Sequence, residues 1–333
     1  MGVYQHNENP NVVVRALRKL YNPVGFKKGY NALLCFIFAG ALLGFSLARM
    51  PYLDVFGYYK NNAGPGEWYY YQLPVEKVGI ALHLGSVIPA SFLVIFQFIP
   101  IIRYKAILFH RMNGYTIILL ILCANASAIM IARHAFGGTL ATQMLVGLLA
   151  ILTTTSMIFG YINIKRLQIE QHRAWMLRLW SYLGSIITLR LIQASAGAIV
   201  GMLGGFMMAI PCEQIVYAGG PDATAGYAAC QADPTAWTAV EANLSSPKGV
   251  AEAMAALQIS FGMAGFLALI IHMIAVELYL KLTPAEFERL RQVSYERQIE
   301  RGFKHPGSAG LTIDRFGDCE DWKPEVRSKA DAE

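Results

Sequence analysis

Histidine and arginine residues beside long apolar stretches are the side chains of this chain most able to do chemistry. Two segments each place a His-Arg pair at the start of such a stretch, His110-Arg111 and His172-Arg173. Basic residues at the end of a membrane helix are explained by topology, but topology does not call for histidine. Because imidazole binds metal or haem and exchanges protons near neutral pH, these pairs predict a ligand or an acid–base group.

Four further ionisable side chains lie at the edges of apolar stretches or inside them: His83, His134, Arg190 and His272. Ionisable residues are costly inside a membrane and mark functional positions. Arg190 is 18 residues beyond His172, which places both on one helix face about 27 Å apart. Such an arginine requires a partner, which is a carboxylate, backbone carbonyls, a cofactor propionate or water.

Long apolar segments must position these residues. The chain is 55% hydrophobic and 15% charged, whereas about a quarter of the residues of a soluble domain are charged. A helix needs about 20 apolar residues to cross a bilayer. Six segments meet this requirement: 30–50, 76–102, 112–134, 138–163, 176–208 and 255–280. The sequence therefore predicts an all-α, polytopic transmembrane helix bundle of about six spans. Because no apolar h-region occurs before residue 30, no cleavable signal peptide is expected.

The distribution of Lys and Arg predicts the orientation. One side of the predicted bundle collects 22 of the 28 Lys and Arg residues and the other side 5, with Arg190 inside a span. Basic residues concentrate on the cytoplasmic side of a membrane protein, so both termini are predicted to be cytoplasmic. The net charge is +6. Because the basic residues that produce it flank apolar segments, they indicate a lipid bilayer as partner and not nucleic acid.

The predicted external loop 209–254 carries two signals of an oxidising, extracytoplasmic compartment. Cys212 and Cys230 have a spacing compatible with a disulfide. Asn243-Leu244-Ser245 is an acceptor sequence for N-glycosylation. Together with the tyrosine- and tryptophan-rich connector 51–75, these signals predict a plasma or secretory-pathway membrane.

The chain is thus divided into a cytosolic segment 1–29, a bundle 30–282 and a cytosolic C-terminal region 283–333. The last region opens on Thr283-Pro284-Ala285-Glu286, a capping box with proline at the first helical position. A charged helix to about residue 301 is expected to follow, with a redox or other protein as its cytosolic partner. Beyond it, the Gly-, Pro- and charge-rich remainder is predicted to be disordered.

Several segments resemble an uncharacterised family of predicted membrane proteins found in bacteria and fungi. They are HRMNGY at 110–115, RHAFGG at 133–138, HRAWMLR at 172–178 and TLRL at 188–191. The resemblance covers roughly residues 80–200, and the HR-x-W-M-x-R segment is its most specific part. The family has no assigned reaction. Its four-helix, histidine-containing core is similar in outline to membrane b-type cytochromes, which implies bound haem.

A b-type haem protein for transmembrane electron transfer is the first functional hypothesis, because such haems take axial imidazoles from facing helices. The predicted ligand pairs are His83 with His134 on the outer side and His110 with His172 on the inner side. The haem propionates would meet Arg190 on the outer side, or Arg111, Arg173 and Arg178 on the inner side. His110 and His134 are 24 residues apart on one predicted helix, about 36 Å, so one haem is easier to accommodate than two.

Two alternatives stay open. His110, His172 and His272 lie at similar predicted depth and could hold a non-haem metal or act in acid–base catalysis on a lipid-like substrate, with Glu277 as base or fourth ligand. The third class is a transporter or structural protein without catalysis. The sequence lacks the matched halves and paired broken helices of secondary transporters.

Overall fold

A computed structural model describes residues 11–245 and 249–324 of the chain. Its α-helices are α1 (Val12–Tyr21), α2 (Gly29–Arg49), α3 (Lys60–Asn62), α4 (Glu67–Tyr70), α5 (Pro74–Leu93), α6 (Ile95–Phe98), α7 (Pro100–Lys105), α8 (Ile107–Ile131), α9 (Leu140–Lys165), α10 (Ile169–Leu203), α11 (Cys212–Gly219), α12 (Ala228–Ala232), α13 (Val250–Leu282) and α14 (Pro284–Glu300). A π-helix covers Val55–Tyr59, and 3-10 helices cover Met50–Leu53, Ala135–Gly138, Pro221–Thr224 and Ile313–Phe316.

Six helical segments in the described part of the chain are long and apolar enough to cross a membrane. They are Gly29–Leu53, Pro74–Phe98, Ile107–Ile131, Leu140–Lys165, Ile169–Leu203 and Val250–Leu282. The prediction of an all-α polytopic bundle of about six spans is confirmed. Helices satisfy their backbone hydrogen bonds internally, as the hydrocarbon interior requires.

The described residues form two compact units. The first comprises residues 11–63 and 70–131, and the second comprises residues 64–69 together with 132–245 and 249–324. In the first unit α5 packs along α8, and α2 packs on α5. Gly79 of α5 faces the side chains of Met130 and Ile131, so this close helix contact depends on a residue without a Cβ atom.

The second unit is built on the contact of α10 with both α9 and α13. Gly262 of α13 lies against the backbone of Ala141 and Thr142 in α9, where an added Cβ would come within 2.9 Å of backbone atoms. Gly265, one turn on, faces Leu145 and Leu189. These small residues let the three helix backbones approach closely, in the manner typical of membrane helices.

A small β-hairpin and a disulfide form one end of the second unit, here called the loop end (residues 132–139, 204–245 and 249). Strands β1 (Met207–Pro211) and β2 (Trp237–Glu241) pair antiparallel, with Ala209 opposite Ala239. The Cys212–Cys230 disulfide joins α11 to α12, which confirms the predicted bond. The all-α prediction did not include this hairpin, because its strands are too short to be distinguished from a loop in the sequence.

Two helix boundaries differ from those expected and move two histidines. Helix α10 begins at Ile169, seven residues before the predicted start at 176, so His172 and Arg173 lie within the helix. Leu167 adopts a left-handed φ of 54° just before it, which turns the chain sharply out of α9. Helix α8 ends at Ile131, and His134 lies in the following turn and not in the third span.

The opposite end of the second unit, here called the tail end (residues 163–170 and 283–316), is a dense polar network. Gln298 of α14 donates to the carbonyl oxygen of Arg166 at 2.9 Å and to Gln168 Oε1 at 3.0 Å. Its own Oε1 accepts from the Gly307 N–H at 2.7 Å. Backbone N–H groups of Gly310 and Leu311 donate to Gln168 and Asn163.

A buried ion pair and a buried carboxyl group complete the tail end. Arg291 pairs with Asp314 at 2.7 Å with both side chains buried. Ser294 donates to Glu170 at 2.7 Å. Residues 302–314, for which the sequence predicts disorder, are therefore hydrogen-bonded to α14 and to the α9–α10 connector, because side-chain amides satisfy the backbone of this glycine-rich segment. Residues 325–333 lie outside the described part.

Replacing Gln298 with Leu is expected to release residues 302–314. The substitution keeps the approximate volume but leaves the carbonyl of Arg166 and the N–H of Gly307 without their partner, which costs about 1–3 kcal/mol for each buried group. Limited trypsin digestion followed by mass spectrometry should show faster cleavage after Lys304 and Arg315 than in the wild type. Gln231→Leu, at the loop end, serves as control and should leave both rates unchanged. Equal rates for Gln298→Leu would contradict the role of this network.

Candidate functional site

A strained turn at the loop end begins the arrangement of polar groups in the second unit. Between α8 and α9, Phe136, Gly137 and Gly138 adopt φ values of 47°, 76° and 57°. A Cβ atom on Gly138 would collide with the carbonyl oxygen of Arg133, so glycine is required there. Phe136 carries a side chain in the left-handed region at a cost of about 1 kcal/mol or more. This conformation turns the Phe136 N–H towards a buried carboxyl group.

That carboxyl group belongs to Glu67, which is only 6% exposed and accepts a hydrogen bond from the Phe136 N–H at 3.2 Å. Glu67 opens the short helix α4, outside the six spans. Its neighbours anchor it to the loop end, because Gln214 donates to the Gly66 carbonyl oxygen at 3.1 Å and the Tyr69 hydroxyl donates to Glu213 at 2.7 Å. Gly66 lies so close to Met254 that a side chain would not fit.

Burial raises the pKa of Glu67 from its ordinary value of 4.5 to about 7, against the lowering effects of the Phe136 N–H and of the Arg190 charge. Removal from water disfavours the ionised form more than these two partners favour it. Since the unfolded chain releases this proton first, the folded state loses stability as the pH rises from about 4.5 to 7. Glu67 is thus an acid–base group that titrates near physiological pH.

Arg190 is the cation whose charge acts on Glu67, and protein groups contact its half-buried guanidinium. Its Nη1 donates to Gln193 Oε1 at 3.0 Å. Its Cζ lies 4.5 Å from the ring centroid of Phe136 and 5.4 Å from that of Phe261. The two rings stack in parallel with centroids 4.0 Å apart. The π-faces of these rings stabilise the charge of the half-buried guanidinium.

Gln258 of α13 supplies a polar group beside the same turn. It is 2% exposed, and its side chain packs against Gly137 so closely that a Cβ there would come within 2.7 Å of Oε1. Within residues 11–245 and 249–324, no hydrogen-bond acceptor meets its buried Nε2. An unsatisfied buried donor costs about 1–3 kcal/mol, so this amide is suited to an acceptor such as a water molecule or a substrate oxygen.

Polar contacts continue from this site along the α10–α13 contact. Gln193 Nε2 donates to the Leu257 carbonyl oxygen at 2.9 Å, and Thr188 Oγ1 lies 2.8 Å from His272 Nε2. Closer to the tail end, the Ser181 hydroxyl donates to the His272 carbonyl oxygen at 3.0 Å.

An ion pair and a tyrosine complete this series towards the tail end. Arg178 forms a bidentate ion pair with Glu277 at 2.6 and 2.9 Å, and Arg173 donates to the Tyr279 hydroxyl at 2.9 Å. Arg173 and Gln193 are 20 residues apart on α10, about 30 Å, which is the thickness of the hydrocarbon core. We call these residues the polar line: Arg173, Arg178, Ser181, Thr188 and Gln193 of α10 with His272, Glu277 and Tyr279 of α13.

Two histidines share a feature typical of metal ligands. His83 Nδ1 lies 3.1 Å from the Ala124 carbonyl oxygen in the first unit, and His172 Nδ1 lies 2.8 Å from the Gly160 carbonyl oxygen in the second. Because a carbonyl only accepts, each Nδ1 carries the proton and each Nε2 the lone pair. Ligating histidines are commonly oriented by such a bond.

The predicted haem pairs are divided between the two units. His83 and His110 belong to the first unit, and His134 and His172 belong to the second, so both pairs stay predictions. Of the predicted propionate partners, Arg190 is held in the site with Glu67, whereas Arg173 and Arg178 contact Tyr279 and Glu277. Arg111 is exposed on α8.

The alternative metal set also stays a prediction. In the described ranges, no three His, Cys, Asp or Glu side chains are grouped so as to hold a metal ion. The Nε2 atom of His272 is hydrogen-bonded to the Thr188 hydroxyl. Glu277, which was expected as base or fourth ligand, forms an ion pair with Arg178. The glycosylation of Asn243 likewise stays a prediction; its Oδ1 accepts from the Ser245 N–H at 3.0 Å.

The sequence singled out Arg190 and its need for a partner, but it missed Glu67, Phe136 and Gln258. One feature of the sequence could have pointed to Glu67: it is the single carboxylate in the aromatic segment 64–71, which contains no lysine. That signal does not connect it to a residue 123 positions away. Phe136 and Gln258 carry no charge, so their roles follow only from the fold.

Comparison with known proteins supports the membrane architecture. Residues 80–211 match the model of a family described as "Predicted membrane protein (DUF2306)". This confirms the resemblance to an uncharacterised predicted-membrane-protein family over the middle of the chain. Neither the curated proteins nor the solved structures gave a match.

Infrared titration should detect Glu67 as a protonated acid. Below about pH 7 its carbonyl stretch should be present, and it should disappear above, because burial holds the pKa near that value. Glu67→Gln should remove the titrating band. Arg190→Gln should raise its midpoint, since the cation that lowers this pKa is gone. The exposed Glu320, which lies outside the site, provides a control, and Glu320→Gln should keep the band. A band in wild type that survives Glu67→Gln would contradict the assignment.

Proposed function

We propose that this integral membrane protein takes up and releases protons at Glu67 and passes them along the polar line. The observation that carries the proposal is the carboxyl group of Glu67, buried at the loop end beside Arg190 with a pKa of about 7. A group whose pKa matches the surrounding pH exchanges protons with the least free-energy cost in either direction.

Arg190 makes the exchange reversible. When Glu67 is ionised, the guanidinium balances its charge; when Glu67 is protonated, Gln193 and the faces of Phe136 and Phe261 still stabilise the cation. The site therefore has two protonation states of similar free energy. The unsatisfied amide of Gln258 adds a donor that can orient a water molecule or a substrate oxygen beside the carboxyl group.

The polar line supports movement of protons through the second unit. Hydroxyl, imidazole and carboxyl groups occur along α10 and α13, and chains of Asp, Glu and His residues form proton relays in membrane proteins. The Thr188–His272 hydrogen bond of 2.8 Å lies mid-way along α10, between Glu67 and Arg190 at the loop end and the Arg178–Glu277 ion pair. Water molecules are required between these groups, because successive members of the polar line on α10 are three to seven positions apart, which is about 4–11 Å of helical rise.

We place both termini in the cytoplasm of a plasma or secretory-pathway membrane, with the loop end outside. The 22 to 5 division of Lys and Arg and the Cys212–Cys230 disulfide support this orientation. Glycosylation of Asn243, detected by enzymatic deglycosylation, tests it. The exposed, charged residues of α14, such as Glu296 and Arg297, are then available to a cytosolic protein.

Proton flux into liposomes tests the proposed function. Wild-type protein, reconstituted with a trapped pH-sensitive dye, should acidify the lumen under an imposed potential faster than protein-free liposomes do. Glu67→Gln and His272→Gln should each reduce the rate to that of protein-free liposomes, because a relay fails at any missing group. Ser195→Ala, a matched change on an exposed position of α10, should retain the wild-type rate. A wild-type rate equal to that of empty liposomes overturns the proposal.

A second candidate function is one-electron transfer through b-type haem, favoured by the Nδ1 hydrogen bonds of His83 and His172. Each bond leaves Nε2 as the ligating atom, as axial ligands require. Protein purified after expression with haem precursor should show a Soret band that His83→Gln or His172→Gln removes. His305→Gln, in the exposed tail, is the control. A preparation without a Soret band would contradict the haem-dependent function.

A further inference from the structure

Helix α1 divides its residues into an apolar and a basic face. At 100° per residue, Val13, Leu17 and Leu20 fall within about 60° of one another, and Arg15, Arg18 and Lys19 lie on the opposite side. Asn11 caps the helix, accepting a hydrogen bond from the Val14 N–H at 2.9 Å. The segment is therefore a well-formed amphipathic helix.

Within residues 11–245 and 249–324, protein does not cover the apolar face of α1. No residue of α1 is buried, and Val13, Leu17 and Leu20 are 64%, 50% and 72% exposed. A ten-residue helix is too short to be stable alone in water, so its apolar face requires another apolar surface.

The chain fixes α1 at the point where the first span begins. Residues 22–28 connect it to α2, and the Ile101 N–H donates to the Val24 carbonyl oxygen at 3.0 Å. Gly25, with φ 94°, lies against Pro100 and Ile101 where a side chain would crowd the backbone. The Tyr21 ring contacts Gly29, the first residue of α2. This connector is thus tied to the start of α7, at the same membrane end.

That membrane end is basic. Lys27 and Lys28 precede the first span, and Arg103 and Lys105 occupy the last turn of α7. With the three basic residues of α1, these form a positively charged zone at the depth of the lipid headgroups. Each Lys or Arg near an anionic leaflet contributes to attraction for its phosphates.

We propose that α1 lies in the headgroup region of the protein's own bilayer, with Val13, Leu17 and Leu20 among the acyl chains and with Arg15, Arg18 and Lys19 at anionic phosphates. Its continuity with a span and its charge complementarity to anionic phospholipid both identify the lipid surface as the occupant. The helix is an interfacial anchor that binds more tightly as the anionic lipid content rises.

Spin labels on the two faces test this proposal in full-length protein with Cys35, Cys123 and Cys319 changed to Ser. Leu17→Cys and Lys19→Cys carry the label in turn, in nanodiscs of phosphatidylcholine with or without phosphatidylglycerol. Accessibility to oxygen, which concentrates in lipid, should be high for the label at position 17, and accessibility to a water-soluble nickel complex should be high at position 19. Phosphatidylglycerol should strengthen this difference, and Arg15→Gln with Arg18→Gln should abolish that strengthening.

Two results overturn the proposal. Equal, high nickel accessibility at both positions would mean that α1 extends into water. Low accessibility of position 17 to both reagents would mean that protein, such as a second copy of the chain, covers the apolar face. A size-exclusion profile identical to that of the unlabelled protein confirms that each labelled variant is folded.

Discussion

Compensation of the Arg190 cation, which is half-buried within a span, is the constraint around which the loop end of the second unit is built. A cation near hydrocarbon is tolerated only where protein groups replace water. Here a carboxyl group, an amide oxygen and two aromatic faces share that task. Glu67 must be carried in by its own short segment, and Phe136 must accept a left-handed backbone to bring its ring and its N–H into place. The backbone strain at Phe136 is thus offset by its part in stabilising the charge of Arg190.

Close packing of α10 against α9 and α13 makes this arrangement rigid. Gly262 and Gly265 allow the backbones to meet, and Ala264 and Ala268 are fully buried in the same contact. Without a hydrophobic driving force between helices in lipid, small residues and interhelical hydrogen bonds provide the association. The Thr188–His272 bond serves packing as well as chemistry, which explains how polar groups persist through an apolar bundle.

At the tail end, polar side chains stabilise backbone groups and not a single charge. The α9–α10 connector and residues 302–314 are rich in backbone groups that neither helix nor sheet satisfies. Gln168 and Gln298 each act as donor and acceptor to several of them, and Arg291 with Asp314 adds a buried charge pair. The two ends of the second unit therefore differ: one holds a titrating acid beside a cation, and the other holds a structural network.

The sequence by itself determined the six spans and singled out Arg190, and its cysteine spacing was compatible with the disulfide, because each of these depends on local composition, spacing or residue type. Apolar length alone decides whether a helix can cross the bilayer. Only the tertiary structure decided that the Arg190 charge acts on Glu67, that His134 leaves the third span and that residues 302–314 are hydrogen-bonded. These features depend on partners far away in the chain, and composition does not encode which distant residues share a desolvated site. The pKa of Glu67 near 7 arises from the burial of its carboxyl group in the fold, so no property of Glu67 in the sequence could reveal it.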